Sequence, residues 1–321
     1  MFFPTAGIEV SFWIPPLVAF LISFFTSMGG VSGAFLLLPF QMSFLGYTNP
    51  SVSATNQVFN IVAIPSGVYR YWKEGRMVWP LTLIVICGTL PGVFIGAVIR
   101  VSYLPDPGHF KLFAAAVMLY IGGRMALELL KRGGTNGNKA ESEKRFQDMV
   151  RRHREKAADS ESSGKAVLPA VKVTHFDLKR LAYTFYNETF DVPFWGIFSL
   201  SFLVGIVGGI YGIGGGAIIA PFFVTFYRLP IYTVAGAALM GTFVTSVAGV
   251  IFYQAMAPYY PGMSIAPDWL LGTLFGLGGM AGMYLGARCQ KFVPAKVIKW
   301  MLAGIIIFTA LKYVLDFFKQ G

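Results

Sequence analysis

Charged side chains are scarce in this chain. Asp, Glu, Lys and Arg together make up 13% of its 321 residues, and 55% of the residues are hydrophobic, whereas a soluble domain carries about 25% charged residues. The mean hydropathy is +0.61. This balance excludes an ordinary soluble domain. It predicts an all-α polytopic membrane protein, because a membrane-spanning helix needs about 20 mostly apolar residues.

Cysteine and histidine are scarce as well. The two cysteines, Cys87 and Cys289, both lie in apolar stretches, so they support neither a disulfide framework nor a thiolate metal site. His153 and His175 have no neighbouring cysteine or paired carboxylate at a ligand spacing. A membrane enzyme needs such groups clustered in or near the bilayer. We therefore expect no enzyme activity, no metal and no other cofactor.

The charge that is present is concentrated between Lys131 and Asp191. This stretch holds 13 of the 26 basic residues and 9 of the 15 acidic ones. The other basic residues are scattered at the ends of hydrophobic segments, which disfavours a nucleic-acid-binding role. We predict a first membrane repeat over residues 1–130, a solvated cytoplasmic linker over 131–192 and a second membrane repeat over 193–321.

The linker has its own predicted structure. Residues 140–157 are polar and mostly basic, and they predict a helix. Residues 171–191 show partial alternation and are rich in β-branched and aromatic side chains, which predicts a short β-hairpin.

The two membrane repeats are copies of each other. The glycine-rich stretch over 208–216 has a degraded copy 182 positions earlier, in which Gly30 corresponds to Gly212 and Gly33 to Gly215. Each copy contains about five hydrophobic segments, which is an odd number, so the second copy is predicted to be inverted in the membrane, as in many secondary transporters. The segments lie over 11–28, 30–46, 51–71, 78–99 and 109–130 in the first copy, and over 194–211, 213–228, 232–256, 268–288 and 296–318 in the second.

The first two segments of each copy are short for a span, and only glycines separate them. They are either two full helices or a re-entrant hairpin that reaches partway across the bilayer. By the positive-inside rule, the basic loops place the linker in the cytoplasm and both termini outside, with Arg100 in an outside loop. The sequence leaves open a monomer or a homodimer, because a dimer face and a lipid-facing surface are both apolar.

The glycine breaks are the predicted functional site. Glycine lets the backbone adopt positive φ and approach a ligand closely. A helix that begins after such a break presents free N–H groups and a positive dipole end, which together attract an anion. We therefore expect a small anionic substrate to bind near the membrane midplane, where the two breaks meet. The candidate residues at the breaks are Ser32, Gly33, Gly214, Gly215 and Gly216.

Polar side chains in the third segment of each copy complete the predicted site. Asn56 and Asn60 share one helix face, and burying an unpaired amide costs about 1–3 kcal/mol, so both are predicted to bind the ligand. Gln57 is a weaker candidate. In the second copy Thr242 aligns with Asn60, and Thr245 and Ser246 lie on the same helix.

Other glycines predict structure instead of binding. Gly92 and Gly96 correspond to Gly282 and Gly286 at a shift of 190 positions. Small residues at this spacing are typical of helices that pack closely in a membrane. The spans contain essentially no Asp, Glu, Lys or His at their centres, so no proton relay through carboxylates is indicated.

The duplicated Gly-x-Gly-Gly-Gly-x4-Pro element, over Gly212–Pro221, and the run from Ser66 to Trp79 resemble the TauE/SafE family of sulfite-exporter-like membrane proteins. The similarity covers residues 11–130 and 194–318 but not the linker. It implies an inner-membrane carrier that exports sulfite, sulfoacetate or another sulfonate by alternating access. The first copy departs from the pattern, since Ser32 stands where the second copy has a glycine.

Two alternatives stay open at this point. An anion channel would conduct without an alternating-access cycle. A carrier of the same fold could also move a small carboxylate or another anion that contains no sulfur, because family membership does not fix the substrate.

Overall fold

The computed structural model of the chain describes residues 1–29, 32–73, 75–131, 171–185, 188–289 and 295–320. These residues are mostly helical, and each of the ten predicted hydrophobic segments contains at least one helix. The helices are α1 (Ile14–Gly29), α2 (Ala34–Ser43), α3 (Ser51–Ala63), α4 (Pro65–Lys73), α5 (Trp79–Ser102), α6 (Pro107–Lys131), α7 (Phe194–Tyr211), α8 (Ile219–Phe226), α9 (Ile231–Met256), α10 (Trp269–Cys289) and α11 (Ala295–Gln320).

Within the described residues, four helices are long and apolar enough to cross a membrane: α5, α7, α9 and α10. The α2 helix has 10 residues and α8 has 8, so they rise only about 15 and 12 Å at 1.5 Å per residue. The hydrocarbon core is about 30 Å thick. The second segment of each half is therefore too short to span. The prediction that the first segment of each half is also short is wrong for the second half, because α7 is a full candidate span.

The third segment differs between the two halves. The sequence predicts one helix over 51–71, but the structure has two, with α3 ending at Ala63 and α4 beginning at Pro65. Proline lacks the N–H that would continue the helical ladder and its ring clashes with the preceding turn. The corresponding helix of the second half, α9, runs without interruption for 26 residues.

The α5 and α7 helices form the most extensive contact in the structure, and glycines line it from both sides. A Cβ atom on Gly92 or Gly96 would collide with the backbone of Phe202 or Ile206 on α7. In the other direction, a Cβ atom on Gly209 would collide with the backbone of Val93. The predicted role of Gly92 and Gly96 in close helix packing is thus confirmed.

The α1 and α10 helices form a second contact of the same kind. Here a Cβ atom on Gly282 would meet the backbone of Phe20, and one on Gly286 would meet the backbone of Phe24. Further contacts join α6 to α11, α3 to α10, and α5 to α9. The core is therefore built mainly from contacts between the two halves of the chain.

The linker contains a three-stranded antiparallel sheet in the order β3 (Val171–Phe176), β4 (Arg180–Phe185) and β5 (Glu188–Pro193). The predicted hairpin over 171–191 therefore gains a third strand, which runs directly into α7. In the β3–β4 turn the Asp177 carboxylate accepts the backbone N–H groups of Arg180 and Lys179. These hydrogen bonds lower the pKa of Asp177 to about 2. The predicted helix over 140–157 lies outside the described residues.

The sheet is anchored to the membrane helices by its middle strand. Leu181, Tyr183 and Phe185 of β4 are buried, as the period of two in a strand requires. The Tyr183 hydroxyl lies 2.8 Å from the Thr233 hydroxyl at the start of α9. The linker sheet therefore packs against the end of the bundle at which α9 begins.

An N-terminal hairpin covers another part of the bundle. Strands β1 (Phe2–Phe3) and β2 (Ile8–Glu9) pair in antiparallel fashion, and the sequence analysis did not predict them. The Ser264 hydroxyl donates to the Thr5 carbonyl at 2.7 Å, and the Ser51 N–H donates to the Ser264 carbonyl at 2.9 Å. The hairpin, the loop before α10 and the start of α3 thus meet on one face.

We expect Gly96→Ala to lower the melting temperature of the purified protein, because its Cβ would collide with the Ile206 carbonyl oxygen. Overpacking of this kind costs about 1–3 kcal/mol. The control is Gly304→Ala on α11, where a Cβ atom would have no neighbour within 4 Å. Alanine is favoured over glycine in a helix by about 0.8–1.0 kcal/mol, so the control should melt at the same or a higher temperature. Equal melting of the two variants would contradict this account of α5–α7 packing.

Candidate functional site

The α3 helix forms the centre of the site. All of its residues from Ser51 to Asn60 are buried, although the helix carries amides and hydroxyls on several sides. It packs against α2, α9 and α10. A polar helix buried in this way needs partners for its side chains, and the two glycine breaks provide partners for Asn56 and Asn60.

The second break is shaped by glycines with positive φ. The α7 helix ends at Tyr211, and Gly212 and Gly214 both have φ of +78°. The N–H groups of Gly212 and Ile213 bond back to the Gly208 carbonyl at 2.9 and 3.0 Å. This is the left-handed ending that glycine adopts without steric strain. The chain leaves α7 and continues irregularly until α8 begins at Ile219.

The two breaks meet, as the sequence analysis predicts. The Tyr211 ring stacks on Phe35 in the first turn of α2, with centroids 5.5 Å apart. The Tyr211 hydroxyl donates to the Phe35 carbonyl at 3.2 Å. The end of α7 is thereby joined to the start of α2. Gly30 and Val31 of the first break lie outside the described residues.

Asn56 bridges the two breaks. Its side-chain N–H groups donate to the carbonyl of Ala34, the residue of α2 that directly follows the first break, and to the carbonyl of Gly212 in the second break, each at 3.1 Å. Its oxygen accepts a hydrogen bond from the Gln41 amide at 3.4 Å. Every side-chain hydrogen of this buried asparagine is therefore used within the protein.

Asn60 does the same one turn further along α3. It donates to the Ile213 carbonyl at 2.9 Å and to the Ser246 hydroxyl at 3.2 Å. Its oxygen accepts the Ser32 hydroxyl at 3.4 Å, and the Ala34 N–H donates to that same hydroxyl at 3.3 Å. The two asparagines therefore hold both breaks against one helix.

The hydroxyls of the second half line α9. The Thr245 hydroxyl accepts the Gly215 N–H at 3.1 Å and donates to the Gly241 carbonyl of its own helix at 2.7 Å. The Thr242 hydroxyl bonds only within its own helix, to the Ala238 carbonyl at 2.8 Å. Among the described residues, Thr245 is thus the hydroxyl of α9 that satisfies an N–H of the break.

The remaining predicted glycines are places of close packing. A Cβ atom on Gly214 would lie 2.8 Å from the Ser246 hydroxyl, and one on Gly216 would collide with the Ala238 carbonyl. A Cβ atom on Gly33 would lie 2.6 Å from the Ser23 hydroxyl. The breaks therefore fit tightly against α9 and α1, and a larger side chain has no room.

Gln57 stands apart from this network. It is fully buried, yet neither its amide nitrogen nor its amide oxygen has a hydrogen-bond partner. It lies directly against Gly249 of α9, where a Cβ atom would collide with its oxygen. The structure thus brings all eleven predicted residues to one region but leaves this amide unpaired.

Arg100 is a residue whose position the sequence analysis predicts wrongly. It lies in the last turn of α5, not in an outside loop, and its side chain is 0% exposed. One guanidinium nitrogen donates to the Leu104 carbonyl, and the guanidinium carbon lies 3.8 Å from the centre of the Phe110 ring. Hydropathy alone places an arginine at a segment end in the interface, where snorkelling is the default.

The surroundings of the site hold little negative charge. Among the described residues, Asp268 is the buried carboxylate, and it caps α10 by accepting the Leu271 N–H at 3.0 Å. No group of three or more His, Cys, Asp or Glu side chains is suited to a metal within the part of the chain that the structure describes. The neutral donors of the junction and the buried guanidinium of Arg100 suit an anion.

The model of a protein family described as "Sulfite exporter TauE/SafE" matches residues 16–313. The chain belongs to this family. It is a membrane transporter, and the predictions of the family and of a transporter instead of an enzyme are confirmed. The several apolar helices agree with a multi-pass membrane protein.

Relatives of this chain carry general names. It is 21% identical to the "Probable membrane transporter protein YunE" of Bacillus subtilis (strain 168), over 93% of this chain and 95% of the relative. It is 24% identical to a "Probable membrane transporter protein" of Xylella fastidiosa (strain 9a5c), over 92% and 91% of the two chains. It is 27% identical to the "Probable membrane transporter protein YdhB" of the same Bacillus, over 38% of this chain and 46% of the relative. No solved structure matches the chain significantly.

We expect Asn56→Leu to destabilise the protein strongly, because it removes the buried hydrogen bonds to the Ala34 and Gly212 carbonyls and leaves the Gly212 carbonyl without this donor. Each buried, unpaired polar group costs about 1–3 kcal/mol. The matched control is Gln57→Met on the next position of α3, which removes an amide that has no partner. Its melting temperature should equal or exceed that of the wild type. A similar loss in both variants would show that the Asn56 hydrogen bonds are not what stabilises the junction.

Proposed function

We propose that this transporter exports a small organosulfur anion, such as sulfite, sulfoacetate or another sulfonate, across the bacterial inner membrane. The observation that carries this proposal is the junction of the two glycine breaks on α3, which brings amide, hydroxyl and backbone N–H donors together in a region poor in carboxylates. The family description supplies the class of anion. The names of the relatives do not specify a substrate.

The pattern of helix contacts supports two repeats of inverted topology over residues 1–130 and 193–321, joined by the 131–192 linker. The sequence repeat equates α1 with α7, α3 with α9, α5 with α10 and α6 with α11. When each helix is replaced by its counterpart in the other half, the α5–α7 contact becomes α10–α1. The α3–α10 contact becomes α9–α5 in the same way. All four contacts are present in the structure. Contacts that survive this exchange are what a pseudo-two-fold axis would produce.

The proposed orientation places both termini outside and the linker in the cytoplasm. The N-terminal hairpin, the start of α3 and the uncharged loop over 257–267 lie together, at what would be the outer face. The linker sheet contacts the start of α9, through Tyr183 and Thr233. The proposed topology places the start of α9 on the cytoplasmic side, opposite to that outer face. This division agrees with the positive-inside rule.

The proposed mechanism is alternating access around the junction. In this structure the donors of Asn56 and Asn60 are bonded to carbonyls of the breaks. When one helix bundle moves relative to another and carries α3 away from the second break, the hydrogen bonds of Asn56 to Gly212 and of Asn60 to Ile213 separate. The same N–H groups then become free to bind an anion in place of the carbonyls. Irregular backbone at membrane depth suits this role because it can line a cavity.

No carboxylate relay is required to drive export. An inside-negative potential of about 100 mV favours the exit of one negative charge by about 2.3 kcal/mol, which is roughly a 50-fold gradient. The proposed carrier is therefore a uniporter, or one in which a proton travels on the substrate. Anion flux that does not respond to voltage in proteoliposomes would exclude the net movement of charge.

A matched pair of threonines tests the junction. Thr245 and Thr309 both donate to a carbonyl of their own helix, at 2.7 and 2.8 Å, but only Thr245 also accepts the Gly215 N–H of a break. We expect Thr245→Ala to reduce sulfite efflux from proteoliposomes about tenfold, since that is the effect of losing about 1.4 kcal/mol at the junction. Thr309→Ala on α11 should transport like the wild type.

The outcome of the flux measurement separates the candidate functions. Saturable sulfite flux with counterflow supports a carrier, whereas single-channel currents would identify an anion channel. Transport of acetate but not of sulfite or sulfoacetate would contradict the proposed sulfur substrate and would identify a carrier of carboxylates. Equal rates for the Thr245 and Thr309 variants would show that the second break is not part of the pathway.

A further inference from the structure

Buried polar atoms without partners are concentrated on one seam of the molecule, between α3, α9 and α5. Among the described residues they include the Ser53 hydroxyl, both amide atoms of Gln57, the Tyr253 hydroxyl, and Nε and Nη2 of Arg100. Unpaired polar atoms inside a protein are rare. A cluster of them therefore points to a ligand that completes their hydrogen bonds.

The seam is formed by two helix faces. Ser53 and Gln57 are four residues apart on α3, and Gly249 and Tyr253 are four residues apart on α9, so each pair lies on one face of its helix. Gln57 lies against Gly249, and the Tyr253 hydroxyl faces Ser53 without forming a hydrogen bond of normal geometry. Tyr253 packs in one buried cluster with Ala97 and Val101 of α5, which places the Arg100 guanidinium within electrostatic range of that hydroxyl.

Arg100 is the residue that determines the chemistry of this seam. Its side chain is 0% exposed and carries a positive charge, and it forms no salt bridge with a carboxylate of any residue that the structure describes. The nearest acid in the sequence, Asp106, instead pairs with His109 at 2.9 Å. A buried charge is strongly unfavourable unless an opposite charge accompanies it. The free Nε and Nη2 groups point along the side of the guanidinium that binds two oxygens at once.

We propose that Arg100, Ser53 and Tyr253 form a binding site for a small oxyanion, a second site beside the junction of the breaks. The guanidinium fork would take two oxygens of a sulfonate or sulfite, and the Ser53 and Tyr253 hydroxyls would donate to the anion. This proposal rests on the proposed anion transport and identifies where the fixed positive charge for it lies. The Asn56 and Asn60 junction, by contrast, contains neutral donors.

The position of the site connects it with both the junction and the outer face. Ser53 is in contact with Gly212 of the second break, where a Cβ atom would lie 2.5 Å from the serine Cα. On the other side, Ile265 of the uncharged 257–267 loop belongs to the buried cluster that contains Tyr253, and Tyr260 and Met263 of the same loop pack against that cluster. The Tyr260 hydroxyl lies 3.0 Å from the Ser102 hydroxyl at the end of α5. An anion that leaves the junction towards that face passes Arg100 beneath this loop.

The test measures the melting temperature of the purified full-length protein as sodium sulfite is titrated, with sodium methanesulfonate and sodium acetate in parallel arms at constant ionic strength. The binding of an anion to the folded protein raises its stability with concentration. We expect sulfite and methanesulfonate to raise the melting temperature of the wild type. The rise should disappear in Arg100→Met, and the apparent Kd should weaken at least tenfold in Ser53→Ala and in Tyr253→Phe.

A matched tyrosine separates binding from structure. Tyr183→Phe removes a buried hydroxyl that bonds to Thr233, so it should lower the melting temperature without anion and keep the wild-type Kd. Tyr253→Phe removes a hydroxyl that forms no hydrogen bond of normal geometry with the protein, so it should keep the melting temperature without anion and weaken the Kd. If Arg100 served only to cap α5 through Leu104, Arg100→Met would lower the anion-free melting temperature and leave the anion-induced rise intact.

The outcomes also distinguish this site from the proposed function. Wild-type Kd values in the Ser53 and Tyr253 variants would overturn the second site while leaving sulfite transport by the wild type in place. A wild type that neither binds nor transports any sulfur oxyanion would overturn both proposals. A rise with acetate that exceeds the rise with methanesulfonate would overturn the assignment to a sulfur oxyanion.

Discussion

The structure depends on how the backbone of two broken helices is hydrogen-bonded away from water. In a bilayer an unsatisfied N–H or carbonyl costs several kcal/mol, so irregular backbone survives only where the protein supplies partners. Here the carbonyls of Ala34, Gly212 and Ile213 receive the N–H groups of Asn56 and Asn60, and the Gly215 N–H is accepted by Thr245. Without these contacts neither break could remain at this depth.

This arrangement makes the two breaks depend on each other. One asparagine bonds to both of them, and a second bonds to the Ser32 hydroxyl of one and the Ile213 carbonyl of the other. A displacement of α3 therefore affects both breaks at once. The glycine-lined contacts of α5 with α7 and of α1 with α10 place backbone against backbone, which leaves little freedom within each pair. Motion of the α5–α7 pair relative to the α1–α10 pair is thus expected to shift each pair as a unit around the junction.

Much of this organisation could be predicted from the sequence, and the exceptions have physical causes. The repeat, the glycine breaks and the residues around them were readable because glycine and buried amides have strong local preferences. The division at Pro65 was missed, because the hydrophobic run over 51–71 continues through the proline that ends the helix. The hydrogen-bond partners of Asn56 were not readable either, because Gly212 lies 156 positions away. The sequence therefore predicts Asn56 as a ligand donor, whereas in this structure its N–H groups hold the backbone.

The burial of Arg100 could not be predicted from the sequence either. Its sequence neighbours are those of a helix end at an interface, and nothing local distinguishes it from a snorkelling arginine. Its burial comes from Phe110 of α6 and from the neighbourhood of Tyr253 on α9, which is 153 positions further along the chain.

An uncharged junction next to a buried cation has a consequence for the proposed transport. Neutral donors bind an anion only moderately. A fixed positive charge beyond them lowers the energy of the anion on the outward path, in the direction in which the inside-negative potential drives it. The same charge must not hold the anion too tightly, since transport requires release. Placing the arginine beneath a loop without charged residues, and not at the junction itself, satisfies both requirements.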